Sequence, residues 1–439
     1  MFKETSKELL DFLSKSPTAF HAVENYRQIL NADGFKELLE SEHWDIVPGG
    51  KYYVTRNNTS ILAFKVGTKL DNYSFNIVTS HTDSPTFKVK ENAEIEVKNK
   101  YTQLNTEGYG GMLCATWLDR PLSIAGRVLV SEGNSIVTKL LNIDRDLLMI
   151  PNVAIHMNRA ANDGFKYNLQ VDMLPLLSAG DDRQKDFKQI IADELGVKKE
   201  DILGHDLYLY NRMAPSIWGA NEEFISAGHL DDLQCGFASL KALLAGYNDE
   251  SIDIMACFDN EEVGSGTKQG ADSTLLRDTL TRINNALGKT EEDYHRALAS
   301  SFMLSADNAH AVHPNHPEHT DVTNCTYMNE GVVVKSHAGQ KYTSDGVSMA
   351  VVKSLASGAD VPLQYFANRS DKAGGSTLGN IAMAQASMNA VDIGLPQLAM
   401  HSSYETAGIK DTYYAISLMK ALFDSHIQET STHSLEIKR

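Results

Sequence analysis

The sequence is poor in cysteine and has no long apolar run. Its four cysteines, Cys114, Cys235, Cys257 and Cys325, are widely scattered and form no Cys-x-x-C pair, so no disulfide framework is indicated. No segment reaches the roughly 20 apolar residues that a membrane-spanning helix needs. Residues 1–23 space apolar side chains between charges at helical intervals, which favours an amphipathic helix over a signal peptide. We therefore expect reduced thiols, no membrane insertion and a cytoplasmic location.

Positive charge is also scarce. Lysine and arginine number 40 against 57 aspartates and glutamates, giving a formal net charge of −17 without a compensating basic stripe. Such a chain repels a phosphate backbone, so we expect no nucleic-acid partner. Gly264, Gly266 and Gly270 miss the G-x-G-x-x-G spacing and follow two glutamates, which argues against a nucleotide-dependent enzyme.

Several short, β-prone apolar runs stop abruptly at acidic or histidine residues. The runs are 75–80 before His81-Thr82-Asp83, 252–258 before Asp259-Asn260-Glu261-Glu262, 302–306 before Asp307, and 398–400 before His401. Each pattern indicates a buried strand with a polar tip. Because ligands bind beyond the carboxyl ends of strands in open α/β sheets, we expect these tips to converge on one crevice.

Helical patterns alternate with these runs. Apolar stripes follow Asp231-Asp232, Ser376-Thr377 and Asp411. The alternation predicts an α/β fold with a mixed, largely parallel sheet and helices on both faces.

Residues 87–216 have a different sequence pattern, with short β-prone runs. The runs 127–130 and 136–140 flank a Glu132-Gly133-Asn134 turn, and one helical piece covers 187–195. We expect a β-rich domain over 87–216, inserted into a catalytic domain formed by 1–86 and 217–439.

The polar tips supply the groups of a dinuclear zinc hydrolase, which needs imidazole and carboxylate ligands and a free carboxylate as base. His81 is a candidate ligand, and Asp83 could hold its other ring nitrogen. Glu261 and Glu262 diverge at a strand end, so one could bind metal while the other accepts a proton. Each pattern alone is more often a helix cap or a solvated face. Together they would place costly unpaired charge near the sheet, and metal binding would remove that cost.

A series of longer motifs is spread over nearly the whole chain. They are HTDSP at 81–85, YGG at 109–111, WLDR at 117–120, AIH at 154–156, DNEEVGS at 259–265, DNAHAVHPN at 307–315, GGST at 374–377 and PQLAMHS at 396–402. In this order they resemble the aspartyl aminopeptidase family, which includes the vacuolar aminopeptidases, among the cocatalytic zinc exopeptidases.

The resemblance implies an aminopeptidase acting on peptides with two Zn²⁺ per subunit, for which Co²⁺ or Mn²⁺ could substitute. The implied ligands are His81, Asp231, Glu262, Asp307 and His401. Asp231 would bridge the metals and Glu261 would be the general base. The inserted domain would mediate dimerisation within a homo-oligomer, a dodecamer built from dimers. His156 would reach a neighbouring subunit's active site and stabilise the oxyanion.

Substrate-binding positions implied by the resemblance are Lys335, Tyr342, Gly375 and Ser376. A cation at Lys335 would favour an acidic N-terminal residue. The alternative for Lys335, an edge-strand lysine that points to water, has equal support from the sequence.

Two regions depart from the expected patterns. Where the family usually shows Ser-Pro-Arg-Leu-Asp-Asn, this chain has His229 and Asp232 beside the bridging aspartate, which changes the charge near the metals. Histidines recur every three residues from His310 to His319, but Pro314 and Pro317 interrupt any helix that would gather them. We expect these histidines to support the loop while Asp307 binds metal.

Three other functions stay open at this point. An aminopeptidase of neutral or broad specificity would share the entire site. A dinuclear zinc deacylase would use the same metals on N-acylated molecules. A non-catalytic oligomeric scaffold is disfavoured because it has no need of Glu261 and the five ligands together.

Overall fold

The computed structural model describes all 439 residues. The ten α-helices are α1 (Phe2–Ser14), α2 (Ala19–Ala32), α3 (Leu169–Asp172), α4 (Phe187–Leu195), α5 (Leu230–Ala245), α6 (Leu275–Ala286), α7 (Glu291–Ala299), α8 (Gly346–Gly358), α9 (Leu378–Gln385) and α10 (Asp411–Phe423). No helix combines the length and the apolar character that crossing a bilayer requires.

The strands of the first half are β1 (Lys36–Leu38), β2 (Lys51–Arg56), β3 (Ser60–Val66), β4 (Ser74–His81), β5 (Thr86–Val97), β6 (Tyr101–Tyr109), β7 (Leu122–Glu132), β8 (Ser135–Asn142), β9 (Leu176–Ala179) and β10 (Ile202–Asn211). The remaining strands are β11 (Ser216–Trp218), β12 (Phe224–Ala227), β13 (Ser251–Phe258), β14 (Phe302–Ala306), β15 (Ala309–His310), β16 (Val332–Lys335), β17 (Leu363–Phe366), β18 (Asn389–Gly394), β19 (Pro396–Leu398), β20 (Glu405–Gly408), β21 (His426–Ser431) and β22 (Ser434–Lys438).

A nine-stranded sheet organises the larger part of the molecule, in the order β1-β2-β3-β13-β4-β14-β18-β16-β17. Its four central strands, β13, β4, β14 and β18, are mutually parallel. β13 and β4 are buried along their whole length, as expected for strands covered on both faces. The predicted mixed α/β fold with a largely parallel sheet is confirmed.

Helices cover both faces of this sheet. One face packs against α1, α2, α5, α8 and α10 in a core of 46 buried residues, and the other against α6, α7 and α9 in a core of 27. Successive side chains of a strand point to opposite faces of the sheet, so each strand contributes to both cores. Ile77 and Val78 on β4, for example, lie in different cores. β4 and β13 are therefore packed on both faces up to their carboxyl ends.

A second sheet of six strands, in the order β8-β7-β10-β5-β6-β9, is formed entirely within residues 86–211. Its own core of 22 buried residues includes Phe87, whose ring packs edge-on against Trp117 at 5.3 Å. β7 and β8 pair as the predicted hairpin, with Gly133 in the left-handed region at φ 65°. The division of the chain at 86/87 and 216/217 stays a prediction.

A third, five-stranded sheet has the order β11-β12-β20-β19-β15. It contains the segment that was expected to run as a strand from Leu398 directly into His401. The structure corrects this expectation, because β19 ends at Leu398 and both Ala399 and His401 have positive φ. His401 therefore lies in a tight turn between β19 and β20, and the large sheet does not include its strand.

Candidate metal centre

The carboxyl ends of β4, β13 and β14 bring four of the predicted site residues together. His81 is the last residue of β4, Glu261 and Glu262 follow β13, and Asp307 follows β14. Because these strands are parallel neighbours, their ends lie side by side at one edge of the sheet. The convergence expected from the sequence is present for these strands.

Two further residues reach the same place from other elements. Asp231 stands at the start of α5, where Asp231 and Asp232 have non-helical backbone angles. His401 reaches the cluster from the turn after β19. Potential ligand atoms lie within 4.8 Å of one another in three overlapping groups: His81 with Glu261 and Glu262, His81 with Asp231 and Asp307, and Asp231 with Glu262 and His401. All five predicted ligands and Glu261 thus lie in one cluster, with Asp231 in two of its groups.

The two imidazoles present their Nε2 atoms to the cluster. His81 Nδ1 lies 3.0 Å from the Asp83 carbonyl oxygen, and His401 Nδ1 lies 2.9 Å from the Gly111 carbonyl oxygen. With Nδ1 donating to a carbonyl, the Nε2 lone pair is free to bind a cation. His81 Nε2 is 3.4 Å from Asp231 Oδ1, and His401 Nε2 is 3.4 Å from Glu262 Oε2.

Asp83 fixes the tip that carries the two glutamates. Its Oδ1 accepts the Glu261 backbone N–H at 3.1 Å, and its Oδ2 accepts the Glu262 N–H at 3.2 Å. Oδ2 also accepts the Tyr109 hydroxyl at 2.6 Å. Asp83 therefore acts mainly on the glutamate loop, while the hydrogen bond to His81 comes from its backbone. The predicted contact of its carboxylate with the His81 ring is longer, at 3.5 Å.

Gly110 allows the approach between β6 and the glutamate loop. Its φ is +73°, and a Cβ atom at this position would lie 3.1 Å from the Cβ of Glu262. Any side chain would strain the backbone and press on Glu262. A glycine is therefore required beside the site.

The acidic groups of the cluster lack enough counter-charge. Burial raises the pKa of Glu261 to about 8 and that of Glu262 well above its ordinary value, and it also raises the pKa of Asp307. Asp231 Oδ1 and Glu262 Oε1 are buried without any hydrogen-bond donor. Buried polar atoms normally have a partner. Two imidazole nitrogens and several carboxylate oxygens, two of them unpartnered, form a donor set that fits zinc.

Lys335 lies beside the cluster and is almost fully buried. It ends β16, which is flanked by β17 and β18, so the alternative of an edge-strand lysine pointing to water is wrong. Its Nζ donates to the Asn308 carbonyl at 2.8 Å, is 4.0 Å from Asp307 Oδ1, and lies 5.7 Å from the Tyr342 ring centroid. Burial alone would lower the pKa of Lys335, but Asp307, Tyr342 and Asp392 raise it, so the side chain is a buried cation.

Three of the predicted site residues are not part of the cluster. His156 is exposed on the segment between β8 and α3. Gly375 and Ser376 are exposed just before α9, where Ser376 Oγ contacts the Asn380 side chain at 3.3 Å. Within a single chain these residues do not meet the metal-binding groups.

The histidines of the 310–319 segment are also outside this cluster. His313 Nδ1 accepts the Asn315 N–H at 3.2 Å, and His316 Nδ1 lies 3.0 Å from Glu318. The rings of His316 and His319 stack at 5.4 Å. These contacts are within the loop, as expected for histidines that support it.

Sequence reasoning missed a buried carboxylate, Glu405, that joins two parts of the cluster. Its Oε2 accepts the Asp231 backbone N–H at 3.0 Å, and its Oε1 accepts the His401 backbone N–H at 2.8 Å. Asp232 acts similarly, with Oδ2 accepting the His81 backbone N–H at 3.1 Å. The strand that Glu405 begins, Glu-Thr-Ala-Gly, has no apolar run, so no local pattern marked this residue.

Nearly the whole chain is similar to known proteins. The model of the family described as aminopeptidase I zinc metalloprotease (M18) matches residues 12–423. A probable M18 family aminopeptidase 2 of Clostridium novyi (strain NT) is 48% identical over 425 residues, covering 95% of this chain and 98% of the relative. Ape4 in its solved complex with Nbr1 superposes with a TM-score of 0.93 at 35% identity, covering 96% of this chain and 86% of that one. The mApe1 dodecamer of S. cerevisiae gives a TM-score of 0.83 at 28% identity, covering 96% and 97%.

We predict that Glu405→Gln weakens zinc binding by about 10- to 100-fold, because the amide has only one oxygen to accept the two backbone N–H groups of Asp231 and His401. Equilibrium dialysis against buffered zinc measures the affinity. Glu429→Gln, an exposed glutamate on β21, is the matched control and should bind zinc like the unaltered protein. Equal zinc affinity in the two variants would show that Glu405 does not position the ligands.

Proposed function

Because the chain belongs to the M18 family of aminopeptidase I zinc metalloproteases, we propose that it releases N-terminal residues of peptides by a two-zinc mechanism. The family membership makes it a zinc aminopeptidase. We propose, in addition, the number of metals, their ligands, the general base and the preferred N-terminal residue of the substrate.

The observation that carries the proposal is the pair of unpartnered buried oxygens, Asp231 Oδ1 and Glu262 Oε1, on carboxylates that lie 3.4 Å from the Nε2 atoms of His81 and His401. We assign one zinc to His81, Asp231 and Asp307, and a second to Asp231, Glu262 and His401. Asp231 is then the shared ligand. The same nitrogen and oxygen donors could accept Co²⁺ or Mn²⁺ in place of zinc.

Bound zinc ions would lower the pKa of a water molecule and polarise the scissile carbonyl. Glu261 is the group that takes the proton from this water and returns it to the leaving amine. Its side chain belongs to the His81 group of the cluster, and Asp83 holds its backbone N–H. The raised pKa of Glu261, about 8, reflects burial among acids without cations, and added positive charge would favour its carboxylate form.

We further propose a preference for acidic N-terminal residues. Lys335 is a buried cation next to Asp307, and only one of its three donors has a close acceptor, the Asn308 carbonyl. A substrate carboxylate would fill an open donor position and gain a charge-assisted hydrogen bond. Tyr342 packs beside the ammonium and would border the same pocket. Gly375 and Ser376, on the exposed segment before α9, would bind the substrate from the other side if that segment moves inward.

An assembled homo-oligomer is part of the proposal. The segment around His156 exposes Val153, Ile155 and Met157 by 54%, 47% and 83%, which is unusual for a run of apolar side chains. The related S. cerevisiae protein is described as a dodecamer. We propose that this segment packs against a second subunit in a dodecamer built from dimers, where His156 would donate to the developing oxyanion.

We also propose a cytoplasmic location. All four cysteines are free thiols, and two of them are buried. Unpaired cysteines are typical of reducing compartments. Recovery of the protein in an extracellular or periplasmic fraction would contradict this assignment.

Glu261→Gln should lower kcat on an aminoacyl anilide by about 10²- to 10⁴-fold, because the amide cannot accept the proton of the attacking water. Zinc content, measured by elemental analysis, should stay at two per subunit. In the same assay the unaltered enzyme should not hydrolyse the N-acetylated anilide. Hydrolysis of the acetylated compound would favour the deacylase, and full activity of Glu261→Gln would remove Glu261 from the mechanism.

Lys335→Gln should reduce kcat/KM for an aspartyl anilide about 10- to 100-fold relative to a leucyl anilide, the range expected for one hydrogen bond to a charged group. The ratio of the two substrates is the measured quantity, so a general loss of activity does not affect the conclusion. Lys341→Gln changes an exposed neighbouring lysine and should leave the ratio unchanged. Equal turnover of both substrates by the unaltered enzyme would indicate broad specificity.

His156→Ala and Glu261→Gln should complement each other when their subunits are mixed. Each variant alone should be nearly inactive, while a mixed oligomer would contain sites with Glu261 from one subunit and His156 from its neighbour. Dissociating, mixing and reassembling the two proteins before the anilide assay measures this effect. Mixtures no more active than the separate variants would contradict the action of His156 across the interface.

A further inference from the structure

A cavity lies next to the metal cluster and has no role in the proposed reaction. Its volume is about 330 Å³. The connection between α1 and α2, the turn between β2 and β3, and strands β5, β7 and β10 of the six-stranded sheet surround it. None of the five proposed zinc ligands lines it. The cavity therefore lies beside the proposed zinc ligands and is not formed by them.

The Asp83 side chain connects the cavity to the metal cluster. Asp83 and Tyr109 both line the cavity, and the Tyr109 hydroxyl donates to Asp83 Oδ2 at 2.6 Å. The same Asp83 carboxylate accepts the backbone N–H groups of Glu261 and Glu262. An occupant of the cavity would therefore contact the residues that hold the general base.

Several polar groups in the cavity wall have no partner within the chain. The Tyr208 hydroxyl and the His229 ring make no hydrogen bond, and neither does the Lys268 ammonium, although all three residues line the cavity. Arg127 donates to Asp206 through Nε and to Asn57 through Nη1, which leaves Nη2 unpaired. These groups are open to the solvent of the cavity, and Lys268 is exposed. A polar occupant would therefore replace water molecules as their hydrogen-bond partner.

Both signs of charge line this cavity. Arg127 and Lys268 offer unpaired cationic donors, while Asp259 offers a carboxylate oxygen, Oδ2, whose hydrogen bond from Gln269 is long at 3.5 Å. A ligand with a single charge would meet a like-charged group in this wall. A zwitterion matches both, with its carboxylate toward Arg127 and Lys268 and its ammonium toward Asp259.

Size limits the zwitterion to a small molecule. A cavity of about 150 Å³ accommodates benzene, and this cavity has about twice that volume. Phe20 and the Tyr208 ring also line it and could pack against an apolar side chain. A free amino acid or a dipeptide fits these limits.

We propose that this cavity is a non-catalytic binding site for a free α-amino acid or a dipeptide, held by its ammonium and carboxylate groups. The site lies against Tyr109 and Asp83. The binding itself does not rest on the proposed function.

The test counts binding sites by isothermal titration of the zinc-loaded Glu261→Gln oligomer, which cannot hydrolyse the probe. Leucine and the dipeptide Asp-Leu are the zwitterionic probes, and N-acetyl-leucine amide is the uncharged one. We expect a cavity site for at least one zwitterion in addition to any binding at the metal centre, and none for the uncharged probe. The two zwitterions then distinguish an amino-acid site from a dipeptide site.

Two further changes identify the cavity as the site. Ala19→Trp fills the cavity from the start of α2 and should remove one binding site per subunit. Lys268→Ala removes an exposed cation that has no partner, and should weaken the same site about 10-fold. Lys36→Ala, an exposed lysine on β1 away from the cavity, is the matched control and should bind normally.

The outcomes separate this proposal from the proposed function. If the metal centre binds no probe, one site should remain in Glu261→Gln and disappear with Ala19→Trp. Unchanged stoichiometry in Ala19→Trp together with unchanged affinity in Lys268→Ala would overturn the cavity site. Equal binding of N-acetyl-leucine amide, or no binding beyond the metal centre, would show that the cavity holds only solvent or neutral molecules.

Discussion

The acidic groups buried around Asp231 outnumber the cations that face them, and the arrangement of the whole site follows from this imbalance. Asp231, Glu262 and Asp307 converge where the sheet excludes most water, and Lys335 is the buried lysine beside them. Like charges in such a medium repel strongly, because little solvent screens them. The raised pKa values of Glu262 and Asp307 express this cost in the chain alone. Divalent cations would turn the same repulsion into ligand binding, which explains why the fold can hold these acids so close.

Support for the cluster comes largely through the backbone. Asp83, Asp232 and Glu405 each accept main-chain N–H groups of site residues, so they fix where the ligand-bearing segments lie and leave the ligand side chains free. Asp232 and His81 are 151 residues apart in sequence, Glu405 and Asp231 are 174 apart, and Asp83 and Glu261 are 178 apart. Only the complete fold brings them together. Two of these supports, Asp232 and Glu405, are themselves buried acids that burial keeps at a raised pKa, so the supporting groups add to the need for cations.

The parts of the site that follow a local sequence pattern could be predicted, and the parts that depend on contacts between distant residues could not. The strands before His81, Glu261 and Asp307 were predicted because a buried parallel strand has a local pattern, an apolar run with an abrupt polar end. The same pattern gave a wrong prediction at His401. Residues 398–400 look equally apolar, but β19 ends at Leu398 and belongs to another sheet. Burial of Lys335 depends on β17 and β18, which lie later in the chain and cover both edges of β16.

Other features had no local pattern. Glu405 and Tyr109 act through partners 174 and 26 residues away, and a single sequence does not show such pairs. The role of His156 depends on a second subunit, which neither one sequence nor one chain contains. The specific metal ligands came from resemblance to a family, while the local patterns indicated only where ligands could be. The two kinds of inference agree at β4, β13 and β14, because ligands in open α/β sheets bind beyond the carboxyl ends of the strands.

Asp83 links the metal cluster to the neighbouring cavity. Its two carboxylate oxygens already accept two backbone N–H groups and one hydroxyl, so the carboxylate has little freedom to move alone. Displacing Tyr109 would remove one of these donors and alter the balance among the others. Glu262 shares Oδ2 with Tyr109, while Glu261 donates its backbone N–H to Oδ1 of the same carboxylate. A ligand in the cavity could thus influence proton transfer without reaching the metals and without any large movement of the sheet, because the connection consists of two consecutive hydrogen bonds.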